Sequence, residues 1–140
     1  MVGVTRLYIP ELKPYILPEG FKIISDLDVS VNSDYVLTFE EFLLPGETYV
    51  DVEDLIRRAI STGALASLQH ALWMKENEKF IPEEHRMKRL VCAGTIAEGI
   101  NKVRFMPILI FRDEHWDIKW RLLRKGFASK DLLVRAIKIN

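Results

Sequence analysis

The sequence predicts an α+β fold in a single domain: a largely antiparallel sheet from two hairpins, packed against a three-helix segment and a C-terminal helix. Three observations predict it. Apolar and polar residues alternate with period two at 21–31 and again at 116–122, as half-buried strands do. Between them, from Val52 to Ala97, apolar residues recur at helical spacing. The chain has 140 residues, 49% hydrophobic and 29% charged, enough for one core without disulfides or metal and too little for two.

Residues 1–20 read as an extended N-terminal arm, with 21–140 as the domain. Pro10, Pro14 and Pro18 each remove a backbone donor and push the preceding residue away from helix. Leu12, Tyr15, Ile16 and Leu17 are too apolar for a solvated tail, so the arm must strap its own domain or reach a neighbouring subunit. From Phe21 the rhythm becomes that of a strand. Phe21, Ile23, Leu27, Val29 and Val31 share one side, and Lys22, Asp26, Asp28, Ser30 and Asn32 the other. Asn32, Ser33 and Asp34 supply turn chemistry, and a second strand over 35–43 completes the first hairpin before Pro45 and Gly46 stop it.

The first helix is predicted from Val52, Leu55, Ile56, Ala59 and Ile60, with Asp51, Glu53 and Asp54 at its start to complement the helix dipole. Gly63 marks its end. A second helix over 64–78 carries Leu65, Leu68, Ala71 and Leu72; a third opens at Pro82 and buries Met87, Leu90, Val91, Gly94 and Ala97. The chain then returns to strand at 103–111, where Pro107 suggests an edge or a bulge. After a turn at 112–115, Trp116, Ile118, Trp120 and Leu122 alternate with Asp117, Lys119, Arg121 and Leu123. Ser129 and Asp131 look like the start of a last helix.

No basic stretch followed by a long apolar core opens the sequence, and no apolar run approaches the roughly 20 residues of a membrane span. The cytoplasm is therefore the expected compartment. Cys92 is the single cysteine, which excludes an internal disulfide, and its apolar setting fits packing better than nucleophilic chemistry. Gly94 and Gly99 have the spacing of a phosphate loop, but Ile100 and Asn101 stand where Lys and Ser/Thr belong. His70, His85 and His115 form no metal-binding pattern, so neither metal nor cofactor is expected.

Charge is balanced overall, with 20 basic and 20 acidic residues, but not along the chain. Residues 1–54 hold 3 basic and 11 acidic groups, net −8; residues 102–140 hold 10 and 4, net +6. The two ends could neutralise each other within one molecule, meet between subunits, or leave the basic third to bind nucleic-acid phosphates. Period two puts Lys119 and Arg121 on one face and Trp116 and Trp120 on the other. That register is compatible with contacts to a duplex backbone, but not with a platform of stacked bases beside cations.

Two functions follow as expectations. The first is a non-catalytic protein-interaction or assembly module, homo-oligomeric or bound to another protein. Leu12, Tyr15 and Leu17 of the arm and Lys119, Arg121, Arg124 and Lys125 of a basic C-terminal surface would contact the partner. The second is a metal-dependent nuclease or other nucleic-acid-binding protein using Asp117 and Lys119. Asp117-Ile118-Lys119 resembles the PD-(D/E)xK nuclease pattern at that tripeptide; Asp117 and Lys119 would work with Glu98 or Asp113 as a second acid. Alternating charges on the wet face of a hairpin explain the same tripeptide without chemistry.

Overall fold

A computed structural model describes residues 4–9, 17–26 and 33–139 of the chain. Its strands in chain order are β1 (Val4–Ile9), β2 (Lys22–Asp26), β3 (Ser33–Glu40), β4 (Tyr49–Val50), β5 (Arg89–Val91), β6 (Thr95–Glu98), β7 (Arg104–Arg112), β8 (His115–Leu122), β9 (Phe127–Ala128) and β10 (Asp131–Ile139). Two α-helices, α1 (Val52–Thr62) and α2 (Leu68–Glu76), lie between β4 and β5. One large mixed sheet runs β1-β3-β10-β5-β7-β6-β2, with β8 paired to β7 as well. All its pairings are antiparallel except β10 with β5.

The sheet is covered on both faces. On one face α2 places Leu68, Ala71 and Met74 against Leu37, Phe39, Leu90, Leu109, Trp116, Leu132 and Val134. On the other α1 places Leu55 and Ala59 against Val91, Met106, Ile108, Phe127 and Leu133. Consecutive residues of the inner strands therefore point into different cores, which is why β5, β7 and β10 read as continuous apolar runs.

This double coverage explains where the sequence-derived layout is corrected. The third helix is absent: one 3-10 turn at Glu83–His85 is followed by β5 and β6. Leu90 and Val91 are both fully buried, one in each core, so an inner strand imitates a helical stripe here. Met87, assigned to that helix's buried side, is 84% exposed. The C-terminal helix is also absent. Leu132, Leu133 and Val134 are buried in the strand β10, between β3 and β5. Asp131 does accept a backbone N–H, from Ala128 at 2.9 Å, but across a turn between strands rather than at a helix start. The first hairpin does not form either, since β2 pairs with β6 and β3 with β1 and β10. Alternation identifies a strand with a wet face, not its neighbour. Within the expected arm, Val4–Ile9 is a strand on β3, and Leu17 packs against the α2-side core. Leu12 and Tyr15 lie outside the described residues.

The second helix begins at Leu68, four residues later than its apolar pattern suggests, because residues 64–67 carry the chain through the sheet. Ala66 donates its N–H to the Val134 carbonyl of β10 (3.1 Å) and accepts from Gly94 (2.8 Å). Leu68 then donates to Thr95 Oγ1 at 2.8 Å. The strand that should be continuous from β5 to β6 bulges at 92–94 to admit this segment. Its register against β7 moves from Val91 opposite Ile108 to Ala97 opposite Phe105. Pro107 sits opposite that bulge: its carbonyl accepts from Cys92 (3.0 Å), and its missing N–H faces a gap in the ladder.

Candidate functional site: a basic groove and an open strand edge

The groove forms where α1, the start of β7 and the end of β8 meet. Asp51 caps α1 by accepting the Asp54 N–H at 2.8 Å, and Gly63 closes the helix in the left-handed conformation with φ 76°. This fixes the face that presents Val52, Glu53 and Ile56. Before β7, the Gly99 N–H bonds the Val103 carbonyl at 2.7 Å, and Asn101 and Lys102 both take positive φ, 62° and 60°. Two successive residues of this kind hold backbone strain, most of it at Lys102, whose long side chain gains nothing from the left-handed region. The turn projects Lys102 beside Arg104. Leu123, just past β8, donates to the Arg104 carbonyl at 2.9 Å and so brings Arg124 alongside.

The result is a groove of about 450 Å³. Its floor is Val52, Ile56, Ile96, Val103, Leu122 and Leu123; its rim is Lys102, Arg104 and Arg124, with Glu53 as the single acid. Lys102, Arg104 and Arg124 have no carboxylate within ion-pair distance among the described residues. Elsewhere five arginines are committed to carboxylates. Arg58 grips Glu47 through two bonds of 2.6 and 2.8 Å, holding that carboxyl well down, at about 2. Arg57 pairs with Asp54, Arg86 with Glu83, Arg89 with buried Asp131, and Arg135 with Glu40. Of these pairs, only Arg135–Glu40 joins the basic and acidic thirds of the chain. Among the described residues, internal neutralisation therefore accounts for little of the segregation.

The expected basic patch is divided by the fold. Arg121 stacks over Phe127, 4.8 Å from the ring centroid, and donates to the Gly126 carbonyl at 2.8 Å, so its charge is tied down. Arg124 joins the groove and Lys125 is exposed beside it. Lys119 lies elsewhere, in a trough of about 390 Å³ between α2 and β8, with Leu68, Leu72, Lys75, Asp117, Ile118 and Trp120. Lys102 and Arg104 are not among the residues that the sequence singles out. Their period-two spacing was visible, but the pairing that brings Arg104 to Leu123 and Arg124 was not.

The acids proposed for metal chemistry are not gathered. Glu98 stands opposite Arg104 on one side of β7, and Asp117 opposite Ile110 on the other. Six strand positions separate those levels, about 20 Å along the sheet. Asp113 is at the hairpin tip, with φ 54°. Asp117 is instead paired with Lys75 at 3.1 Å, and that hydrogen bond lowers its carboxyl from the usual range. No group of three His, Cys, Asp or Glu placed to hold a metal ion occurs among the described residues. Burial pushes the Cys92 thiol up, which removes it from nucleophilic chemistry. No described helix is long and apolar enough to cross a membrane. No family model, curated protein or solved structure matches the chain.

Proposed function

We propose that this protein is a non-catalytic protein-interaction module that takes an acidic, partly apolar segment of a partner into the groove rimmed by Lys102, Arg104 and Arg124. The observation that carries this reading is the contrast in charge. Five arginines elsewhere hold carboxylates, while three cations without one among the described residues surround an apolar floor. A segment with alternating acidic and aliphatic side chains would satisfy both rim and floor, and cationic rims speed such encounters. The N-terminal third, at net −8, gives a second copy of the chain the required sign, so self-association belongs to the same reading. The single buried cysteine fits the reducing cytoplasm as its compartment.

The test is fluorescence anisotropy with a labelled peptide of alternating Glu and Leu, alongside a labelled 20-base-pair duplex as competitor class. Peptide binding should weaken about tenfold or more in Arg104→Glu and Arg124→Glu, and weaken again as salt rises. Light scattering at low and high salt reports self-association. Preference for the duplex with a steep salt dependence would transfer the groove to nucleic acid. Manganese-dependent cleavage lost in Asp117→Asn would restore the nuclease.

A further inference from the structure

The second opening in the molecule, the trough along β8, is built differently from the basic groove. β8 is bonded only to β7 among the described strands, so its other side is a sheet edge. The hairpin register decides which residues face that edge. In an antiparallel pair, alternate residues turn both backbone groups towards the partner strand and the rest turn them away. Trp120 stands opposite Pro107, which has no N–H to give, and Trp116 stands opposite Phe111 in the same phase. Trp116 confirms the direction: its N–H goes outward to Glu78 Oε1 at 2.7 Å, and its carbonyl accepts outward from Lys75 Nζ at 3.2 Å. Ile118 and Trp120, two and four residues on, share that phase. Their outward N–H and C=O groups have no partner among the described residues. Among the described residues, side chains thus cap one end of the edge and leave the rest open.

Alongside this open stretch lies α2. Leu68, Leu72 and Lys75, at i, i+4 and i+7, form one stripe of that helix facing the trough, with Ile118 and Trp120 on the strand side. The trough is as long as three or four strand residues, with a ladder on one wall and aliphatic groups on the other. Its charge is also uneven. Asp117 is already neutralised by Lys75, whereas Lys119 is exposed and has no acidic partner among the described residues.

A second copy of β8 fits poorly. A two-fold centred on Ile118 would face Asp117 with Lys119, but it needs the Trp116 backbone groups that Glu78 and Lys75 already hold. Centred on Trp120, it would set Lys119 against Arg121, and like charges directly opposite are destabilising. A single extended peptide meets neither obstacle.

We propose that the outer edge of β8 is a strand-addition site for an extended segment of another protein with the pattern aliphatic–acidic–aliphatic. The segment hydrogen-bonds to Ile118 and Trp120, its two aliphatic side chains enter the trough against Leu68 and Leu72, and its acid lies beside Lys119. Backbone bonds supply affinity and alternate side chains supply selectivity, the general division of labour in strand addition. The site shares no residue with the basic groove, so either can fail alone.

The probe is acetyl-Ser-Val-Glu-Val-Thr-Ser-amide, titrated into the 15N-labelled full-length chain. Amide shifts should centre on Ile118, Lys119 and Trp120. Two derivatives test the ladder, one N-methylated at both valines and one at the glutamate. Since alternate N–H groups face the edge, one derivative should bind about tenfold or more weakly and the other close to the parent; which one reports strand direction. Lys119→Glu should weaken the parent peptide, and replacing the peptide's Glu by Lys should restore binding to that variant. Arg104→Glu, which alters only the basic groove, should leave the shifts at Ile118, Lys119 and Trp120 unchanged. Equal effects from both N-methyl patterns, no shifts at Ile118 and Trp120, or sensitivity to Arg104→Glu in place of Lys119→Glu would each overturn the proposal.

Discussion

The start of α2 is held by a histidine. Ser67 donates its backbone N–H to His70 Nδ1 at 3.0 Å, with the Ser67 hydroxyl 3.1 Å from the same nitrogen, so His70 fills the place that Glu or Gln takes in a capping box. Nδ1 must be unprotonated to accept, which puts the proton on Nε2. That nitrogen has no hydrogen-bond partner among the described residues, and the ring meets Tyr35 edge-on at 4.9 Å. His70 is 1% exposed, and burial holds it down to about 4, against about 6.5 in an unfolded chain. The unfolded state therefore binds the proton first as pH falls. Stability from this group is whole above pH 6.5, declines between 6.5 and 4, and is level below that, a loss of about 3 kcal/mol. Urea unfolding at pH 7 and pH 4.5 should show this drop, and His70→Gln, which keeps a capping acceptor, should remove most of it. His85, also lowered by burial, keeps a smaller step of the same sign. A second residue-scale prediction concerns the β7–β8 turn, where Asp113 and Glu114 both have positive φ, 54° and 67°. A two-residue hairpin loop of this type prefers Asp-Gly. Glu114→Gly should raise stability by about 1 kcal/mol, measured by thermal unfolding.

At the scale of elements, the passage of residues 64–67 through the sheet depends on Gly94. A Cβ there would lie 2.2 Å from the Leu65 carbonyl oxygen and 2.9 Å from that of Ala66, both backbone atoms in a hydrogen-bonded crossing. Gly94→Ala should therefore cost more than the ~1–3 kcal/mol of ordinary overpacking, with loss of amide protection at Ala66 and Leu68 as its local signature in hydrogen exchange. In the sequence, Gly94 fits half of an incomplete phosphate loop and one face of a helix. Neither spacing explains it; a close approach of two backbones does. The contrast with α1 is instructive. Its stripe, acidic start and Gly63 stop were all legible, because a surface helix with one buried face carries its partner's position in its own periodicity. Of the stripe residues, Leu55 and Ala59 are fully buried, while Ile60 at its margin is 62% exposed. In β5 and β10 both faces are buried, and period then carries no information about secondary structure.

Over the whole molecule, chain order and spatial order diverge. β10, last in sequence, lies between β3 and β5, and β2 lies beside β6. β10 of the basic third lies beside β3 of the acidic third, with one ion pair across that seam, Arg135–Glu40, whereas Lys102, Arg124 and Lys119 stand at two other openings without a carboxylate partner among the described residues. The amino-acid sequence by itself determined the strand rhythm at 116–122, which puts Trp116, Ile118 and Trp120 against the core and leaves Lys119 exposed. It determined the first helix and the uneven charge as well, because each of these is a local property of successive residues. Tertiary structure alone decided which strands are neighbours, where the chain crosses the sheet, and that Lys102 and Arg104 join Arg124 while Arg121 turns away to Phe127. The physical reason is that backbone hydrogen bonds between strands are the same for every residue pair, so side chains settle the pairing only through the two cores they fill together.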